Sequence, residues 1–294
     1  MNIVIVYDRI LSDTKLLFTG EQMIKVQNLR KVYKVGNEKV VALNNVSLEI
    51  PRGEFCCIVG TSGSGKSTLL NMLAGLEKPT KGKVKINGQI VSKMTEKELA
   101  KFRQNNIGFI FQSYNLMPTM TAVENVAFPL VFKGVDRKTR EKRARKILKE
   151  MELEGRMDHK PGEMSGGQQQ RVGIARAFVD KPKVIFADEP TGNLDSATTE
   201  KVMKMLIDIS EKNNITFVMV THDNELAKMA HRVITLKDGT VISDMRDGVS
   251  LMDEDAEISR GDFTDDADKK PRREDAASPQ VTEQSNTAEE KQRQ

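Results

Sequence analysis

Residues 54–76 read EFCCIVGTSGSGKSTLLNMLAGL, and no other stretch restricts the fold so severely. An apolar run, a glycine-rich loop and an apolar helical pattern follow one another without a break. Gly60 to Thr68 fits G-x-x-x-x-G-K-[ST], and a position between strand and helix is what that pattern requires. Gly60, Gly63 and Gly65 let the backbone wrap tightly, so the N–H groups of Thr61, Ser62, Ser64 and their neighbours converge on phosphate oxygen. Lys66 is placed to meet β- and γ-phosphates, Ser67 to ligate Mg²⁺, and Thr68 closes the motif. A nucleotide site is expected, although several unrelated activities share such a loop.

Three later apolar runs, NIGFIFQ, KVIFADE and ITFVMVTH, also end in polar residues. Helical patterns separate them, which implies a largely parallel sheet covered on both faces, with chemistry at the strands' C-terminal ends. Asp188, at the tip of the second run, is suited to the magnesium shell. Magnesium needs only one acid there, so Glu189 reads as a base that polarises an attacking water. Helix capping by these acids would not explain a buried strand ending in two carboxylates. His222 and Gln112 close the other two runs. There they can reach a γ-phosphate, the attacking water or Mg²⁺. Antiparallel signals, with turns at Gly36-Asn37 and Asn87-Gly88, cluster before residue 90. Residues from about 94 to 178 read as mostly helical.

A second phosphate-type feature lies at MSGGQQQRVGIARAF, Met164 to Phe178. Ser165, Gly166 and Gly167 precede an apolar helical stripe, a start that presents free N–H groups and the positive end of a dipole. It has no lysine, and the chain already carries one complete phosphate loop.

Together these residues resemble the ATP-binding cassette (ABC) ATPases over roughly Met23 to Asp244. By that resemblance Gly60–Ser67 is Walker A, Gln112 the Q-loop glutamine and Met164–Gln168 the signature, with Met164 replacing the usual leucine. Asp188 and Glu189 match Walker B and the catalytic glutamate, Asp195 the D-loop, and His222 the switch histidine. Tyr33 sits where the family stacks an aromatic ring on adenine. The implied fold is an α/β P-loop core with a mainly parallel sheet, an N-terminal antiparallel β-subdomain and an inserted helical subdomain. The implied activity is Mg²⁺-dependent ATP hydrolysis by a head-to-tail dimer. Ser165, Gly166, Gly167 and Gln168 of each chain then close over the partner's ATP. The segments TGNLDSATT and ENVAFPLVFKGV look like the macrolide-exporter and lipoprotein-release branch, whose members drive a separate membrane permease. That places the chain in the cytoplasm, peripheral on the inner face of the membrane.

Bulk properties narrow the alternatives. Lys+Arg 46 against Asp+Glu 42 leaves a net charge of only +4 over 294 residues, so a nucleic-acid partner is not expected. The two cysteines, Cys56 and Cys57, are adjacent in an apolar run and read as buried small hydrophobes. No apolar stretch is long enough for a membrane span, and the opening residues lack a signal peptide's basic start. Each motif occurs once, and the interval between loop and signature lacks sustained heptads. Soluble two-cassette and coiled-coil relatives are therefore disfavoured, while a purely regulatory ATP cycle stays open. The helix pattern over residues 137–157 carries a stripe of Ala144, Ile147, Leu148 and Met151. Its basic face is a solvated surface or a contact for anionic lipid. Residues 1–22 read as an extension, 23–244 as the nucleotide-binding domain and 245–294 as a charged, disordered tail.

Overall fold

The computed structural model describes residues 21–252. The expected N-terminal extension, but for its last two residues, and the expected tail beyond Met252 lie outside that range. Two sheets organise the chain. β1 (Gln22–Val35), β2 (Glu38–Pro51), β4 (Lys81–Ile86) and β5 (Gln89–Ile90) form an antiparallel sheet in the order β2-β1-β4-β5. Its last hairpin turns at Asn87 and Gly88, whose φ angles of 47° and 79° suit a two-residue turn.

The larger sheet contains β3 (Phe55–Val59), β6 (Ile107–Phe111), β7 (Val184–Asp188), β8 (Thr216–Thr221), β9 (Arg232–Lys237), β10 (Thr240–Arg246) and β11 (Val249–Ser250). Its order is β11-β10-β9-β3-β8-β7-β6, and β9, β3, β8, β7 and β6 run parallel. The expected domain boundary at Asp244 falls inside β10. Strand alternation divides the core in two. Phe55, Cys57, Ile185, Phe217 and Met219 pack on one face, and Cys56, Ile58, Phe186, Val218 and Ile234 on the other. The neighbouring cysteines thus point to opposite faces, both fully buried and unbridged.

The second face is covered by α1 (Lys66–Leu73) and the antiparallel sheet. The first carries α6 (Ser196–Lys212) and the helical lobe: α3 (Ala122–Val131), α4 (Arg137–Glu150) and α5 (Gly166–Phe178). The lobe enters between β6 and β7. Thr121 caps α3 in a reciprocal box with Glu124, and Thr95 does the same with Glu98 for α2 (Glu96–Asn106). Ala144 and Leu148 of α4 are buried. Its basic face is interleaved with acids, in the pairs Arg137–Glu141, Arg145–Asp158 and Lys149–Glu154. Among the described residues no helix is long and apolar enough to cross a membrane.

At the edge where the parallel strands begin lies a buried charge network. Arg232 donates from Nε to Asp244 (2.7 Å) and from Nη2 to the other Asp244 oxygen (2.6 Å). Its Nη1 reaches Glu49 O (2.5 Å) and Glu54 (3.2 Å), while Arg246 Nε donates to Glu54 at 2.6 Å. Burial alone would lower the Arg232 guanidinium. The hydrogen bonds to Asp244 and the surrounding negative charge more than reverse that, and it is pushed up.

Candidate functional site

Register brings the sequence-predicted residues to the opposite edge. Phe111 pairs with Asp188, Asp188 with Val220, and Val59 with Thr221. The next residues are therefore Gln112, Glu189, His222 and Gly60, all at the C-terminal ends of adjacent parallel strands.

Gly60 begins the phosphate loop because nothing larger fits: a Cβ there would lie 2.2 Å from the Leu236 carbonyl oxygen. Gly65 caps α1 in the left-handed region (φ 101°), and its Cβ would meet Ala42 O at 2.6 Å. The loop carries Thr61, Ser62 and Ser67 exposed, with Thr68 half-buried. Lys66 is buried and donates to Gly60 O and Thr61 O, each at 2.8 Å. Ser64 is buried with a hydroxyl that has no protein partner. An ammonium folded onto its own loop's carbonyls, beside an orphaned hydroxyl, matches a cradle for phosphate oxygen.

Asp188 stands next to this cradle. Burial first, then the Glu189 charge, push its carboxyl above the usual range, while Lys66 and a hydrogen bond with Ser67 pull it down. A carboxylate and a hydroxyl supply hard oxygen donors of the kind Mg²⁺ takes. Glu189 follows in a left-handed conformation (φ 43°) that is uncommon for a non-glycine residue. Its backbone N–H is held by Val220 O at 3.0 Å, and its Oε1 lies 2.8 Å from His222 Nδ1. Gln112 completes the group: its Nε2 and Glu189 Oε2 lie 2.7 and 3.4 Å from the point where a Cβ on Gly192 would stand. Asn193 steadies this corner by donating to Gln112 O at 2.9 Å.

Tyr33 on β1 reaches the same edge from the antiparallel sheet. Its hydroxyl donates to Glu77 at 2.5 Å, and the Lys31 ammonium lies 5.0 Å from its ring centre. Burial, then the bond to Glu77, push its phenol up, while a hydrogen bond with Thr68 acts the other way. Thr68 therefore links the ring to the loop.

The signature segment stands apart. Ser165 caps α5 in a reciprocal box: its Oγ accepts from Gln168 N (3.4 Å), and Gln168 Oε1 accepts from Ser165 N (3.0 Å). The cap uses only a lone pair of Ser165, so its O–H proton is free for another acceptor. Ser165, Gly166, Gly167 and Gln168 line a cavity of about 410 Å³ together with Asp195 and Thr198. None of the described residues lining it belongs to the phosphate loop. Asp195 itself caps α6, accepting from Thr198 N at 2.9 Å. Met164 is buried in the lobe's core, as a leucine would be.

Gln170 escapes the sequence reading. It is buried, and its Nε2 donates to Pro190 O and, at 3.5 Å, to Phe111 O. A polar residue on the apolar stripe it shares with Ile174 and Phe178 is the signal that would have exposed it.

A mainly parallel sheet whose first loop wraps a phosphate cradle at its C-terminal edge defines a P-loop nucleotide-binding protein. The model of the ABC transporter family matches residues 43–192. Over 223 residues the chain is 51% identical to the ABC transporter ATP-binding protein MJ0796 of Methanocaldococcus jannaschii, covering 74% of this chain and 95% of that one. It is 44% identical to the macrolide export ATP-binding/permease protein MacB of Rhodopirellula baltica, covering 79% of this chain but 34% of MacB. The dimeric, post-hydrolysis structure of the MJ0796 cassette bound to ADP and Pi aligns with a TM-score of 0.72 at 48% identity, over 76% of this chain and 99% of that one. The chain belongs to the ABC transporter family, as an ATP-binding-cassette ATPase.

Proposed function

We propose that this chain hydrolyses Mg²⁺-ATP as one half of a head-to-tail dimer with a second copy of itself. The dimer drives a separate membrane permease of the export or force-transmitting type, and it works at the inner face of the membrane. The observation that carries this reading is the separation of the two phosphate-binding features: the phosphate loop at the strand tips, the signature N-terminus in a cavity of its own. Each is half a site, and a second copy related head to tail supplies the other half. The dimeric MJ0796 cassette and the likeness to a macrolide exporter support the assembly and the branch.

Within each composite site the residues divide the work. Tyr33 stacks on adenine. Gly60 to Thr68 wraps the phosphates, and Lys66 exchanges its loop carbonyls for phosphate oxygen. Ser67, Asp188 and Gln112 would hold Mg²⁺, which would neutralise charge on the phosphates. Glu189 accepts a proton from the attacking water, and His222 fixes the carboxylate at the angle this needs. The partner's Ser165, Gly166, Gly167 and Gln168 meet the γ-phosphate through backbone N–H groups and the Ser165 hydroxyl. Residues 22–246, from β1 to the end of β10, are assigned to this machine.

Lys66→Ala spoils a chain's own loop and leaves its signature sound; Gly166→Asp does the reverse, by placing a carboxylate against phosphate. Mixing the two inactive proteins with ATP is expected to give a heterodimer with one whole site, seen by fluorescence transfer between labelled chains. No heterodimer where wild-type chains pair would place the signature's action within its own chain.

A further inference from the structure

Tyr33 is tied at the far end of its ring. Its hydroxyl donates to Glu77 at 2.5 Å, and a hydrogen bond with Thr68 meets the same hydroxyl. Thr68 and Glu77 flank a single element. Thr68 lies in the first turn of α1, and Glu77 follows its end, where Leu76 N and Glu77 N donate to Asn71 O at 2.8 and 3.3 Å. The loop from Glu77 to Thr80 is in turn stapled to β1 around the ring. Lys31 Nζ donates to Lys78 O at 2.9 Å, Val32 N to Thr80 Oγ1 at 3.0 Å, and Thr80 N to Arg30 O at 2.9 Å. Lys31 Nζ also lies 3.8 Å from Glu77 and 5.0 Å from the ring centre, so one face of the ring already carries a cation.

We propose that Glu77 is a positioning residue for the base: it anchors the Tyr33 ring to the helix that carries Lys66, at one fixed distance from the phosphate loop. This rests on the reading of Tyr33 as the adenine platform. A ring held only through its Cβ swings about its side-chain torsions, and the swing is widest at the hydroxyl end. Bonds at that end remove the motion before nucleotide arrives. Such pre-organisation raises affinity without adding a contact to the ligand. α1 begins with Lys66 at the phosphates and ends beside Glu77, so one rigid element sets the spacing between the two halves of the nucleotide. Lys31 closes one face of the ring and leaves the other to the base.

The test compares two affinities of the full-length chain, held below its dimerising concentration and read by displacement of a fluorescent ATP analogue. One ligand is ATP; the other is inorganic tripolyphosphate, which has the phosphates and no base. Glu77→Leu is expected to weaken ATP about fivefold, a part of what stacking on an aromatic ring supplies, and tripolyphosphate less than about twofold. Glu77→Gln, which keeps an acceptor oxygen for the phenol, should recover most of the loss. Tyr33→Phe, which keeps the ring and lacks the hydroxyl, should weaken ATP to a similar extent. In that background Glu77→Leu should add less than about twofold, because two residues acting through one bond are not additive. If Glu77→Leu does not fold, Tyr33→Phe alone must separate ATP from tripolyphosphate in the same way. Unchanged ATP affinity in Glu77→Leu, an equal loss for both ligands, or full additivity with Tyr33→Phe would overturn the proposal. Tyr33→Ala binding ATP as tightly as wild type would instead remove the adenine platform, and this inference with it.

Discussion

The two edges of the parallel sheet treat charge in opposite ways. Where the strands begin, Arg232, Asp244, Glu54 and Arg246 are buried and matched: each guanidinium faces a carboxylate at 2.6–2.7 Å. Where they end, matching is incomplete. The Asp188 carboxyl is pushed up by burial and by Glu189, Ser64 has an orphaned hydroxyl, and Lys66 turns back on its own loop. The same strands and the same core lie under both edges. One edge is finished by the chain itself, and the other is left for a ligand to finish. Charge that a fold leaves unsettled marks where it works; charge that it buries and pairs marks where it holds.

The largest break in this comparison should come at the working edge. Glu189→Gln keeps the size and the contact with His222 but removes the proton acceptor. Hydrolysis is expected to fall by ~10²–10⁴-fold, with ATP binding nearly intact and a dimer visible by size-exclusion chromatography with light scattering. Turnover near wild type would take Glu189 out of the catalytic role.

At the holding edge the damage should be thermodynamic. Arg232→Met leaves Asp244 buried without its partner, and removing one member of a buried ion pair typically costs ~3–5 kcal/mol. Urea denaturation should show that loss. Nucleotide affinity, measured where the variant is folded, should hardly move. A variant as stable as wild type would mean that the network contributes nothing net, as some buried pairs do not.

The two edges also differ in how well the amino-acid sequence announces them. Gln112, Asp188, Glu189 and His222 each end a short apolar run, so a parallel sheet carries them to one edge with no knowledge of tertiary contacts. The hairpin at Asn87-Gly88 and the buried cysteine pair were legible for similarly local reasons. The holding edge was not. Glu54 and Arg246 are separated by 192 positions, and Arg232 and Asp244 by 12 across a hairpin, so nothing local distinguishes them from surface charge. For the same reason Arg246 read as part of the charged tail, although its bond to Glu54 ties down the end of β10. Gln170 falls between these cases. Its partners are backbone carbonyls, which a sequence never displays.

The smallest effect tests whether Asp188 is a cost to the empty protein. A carboxyl whose folded value is raised above that of the unfolded chain favours the native state only while protonated. Its contribution is fully present below the unfolded value near 3.8 and is lost as pH rises through the raised one. At neutral pH the ionised Asp188 therefore weighs against the nucleotide-free fold. Asp188→Asn, of the same shape but uncharged, should melt higher at pH 7. A partly buried group is screened by solvent, so the gain should be no more than ~1 kcal/mol, or about 2–4 °C in a domain of this size. The difference should shrink as pH falls through the raised value, where the wild-type group takes up its proton. Mg²⁺-ATP should reverse the order, because only the wild-type carboxylate gains a cation there; differential scanning fluorimetry reads both arms. A variant that melts lower than wild type without nucleotide at pH 7 would show that Asp188 is already satisfied by Lys66 and Ser67. The working edge would then be as finished as the other one.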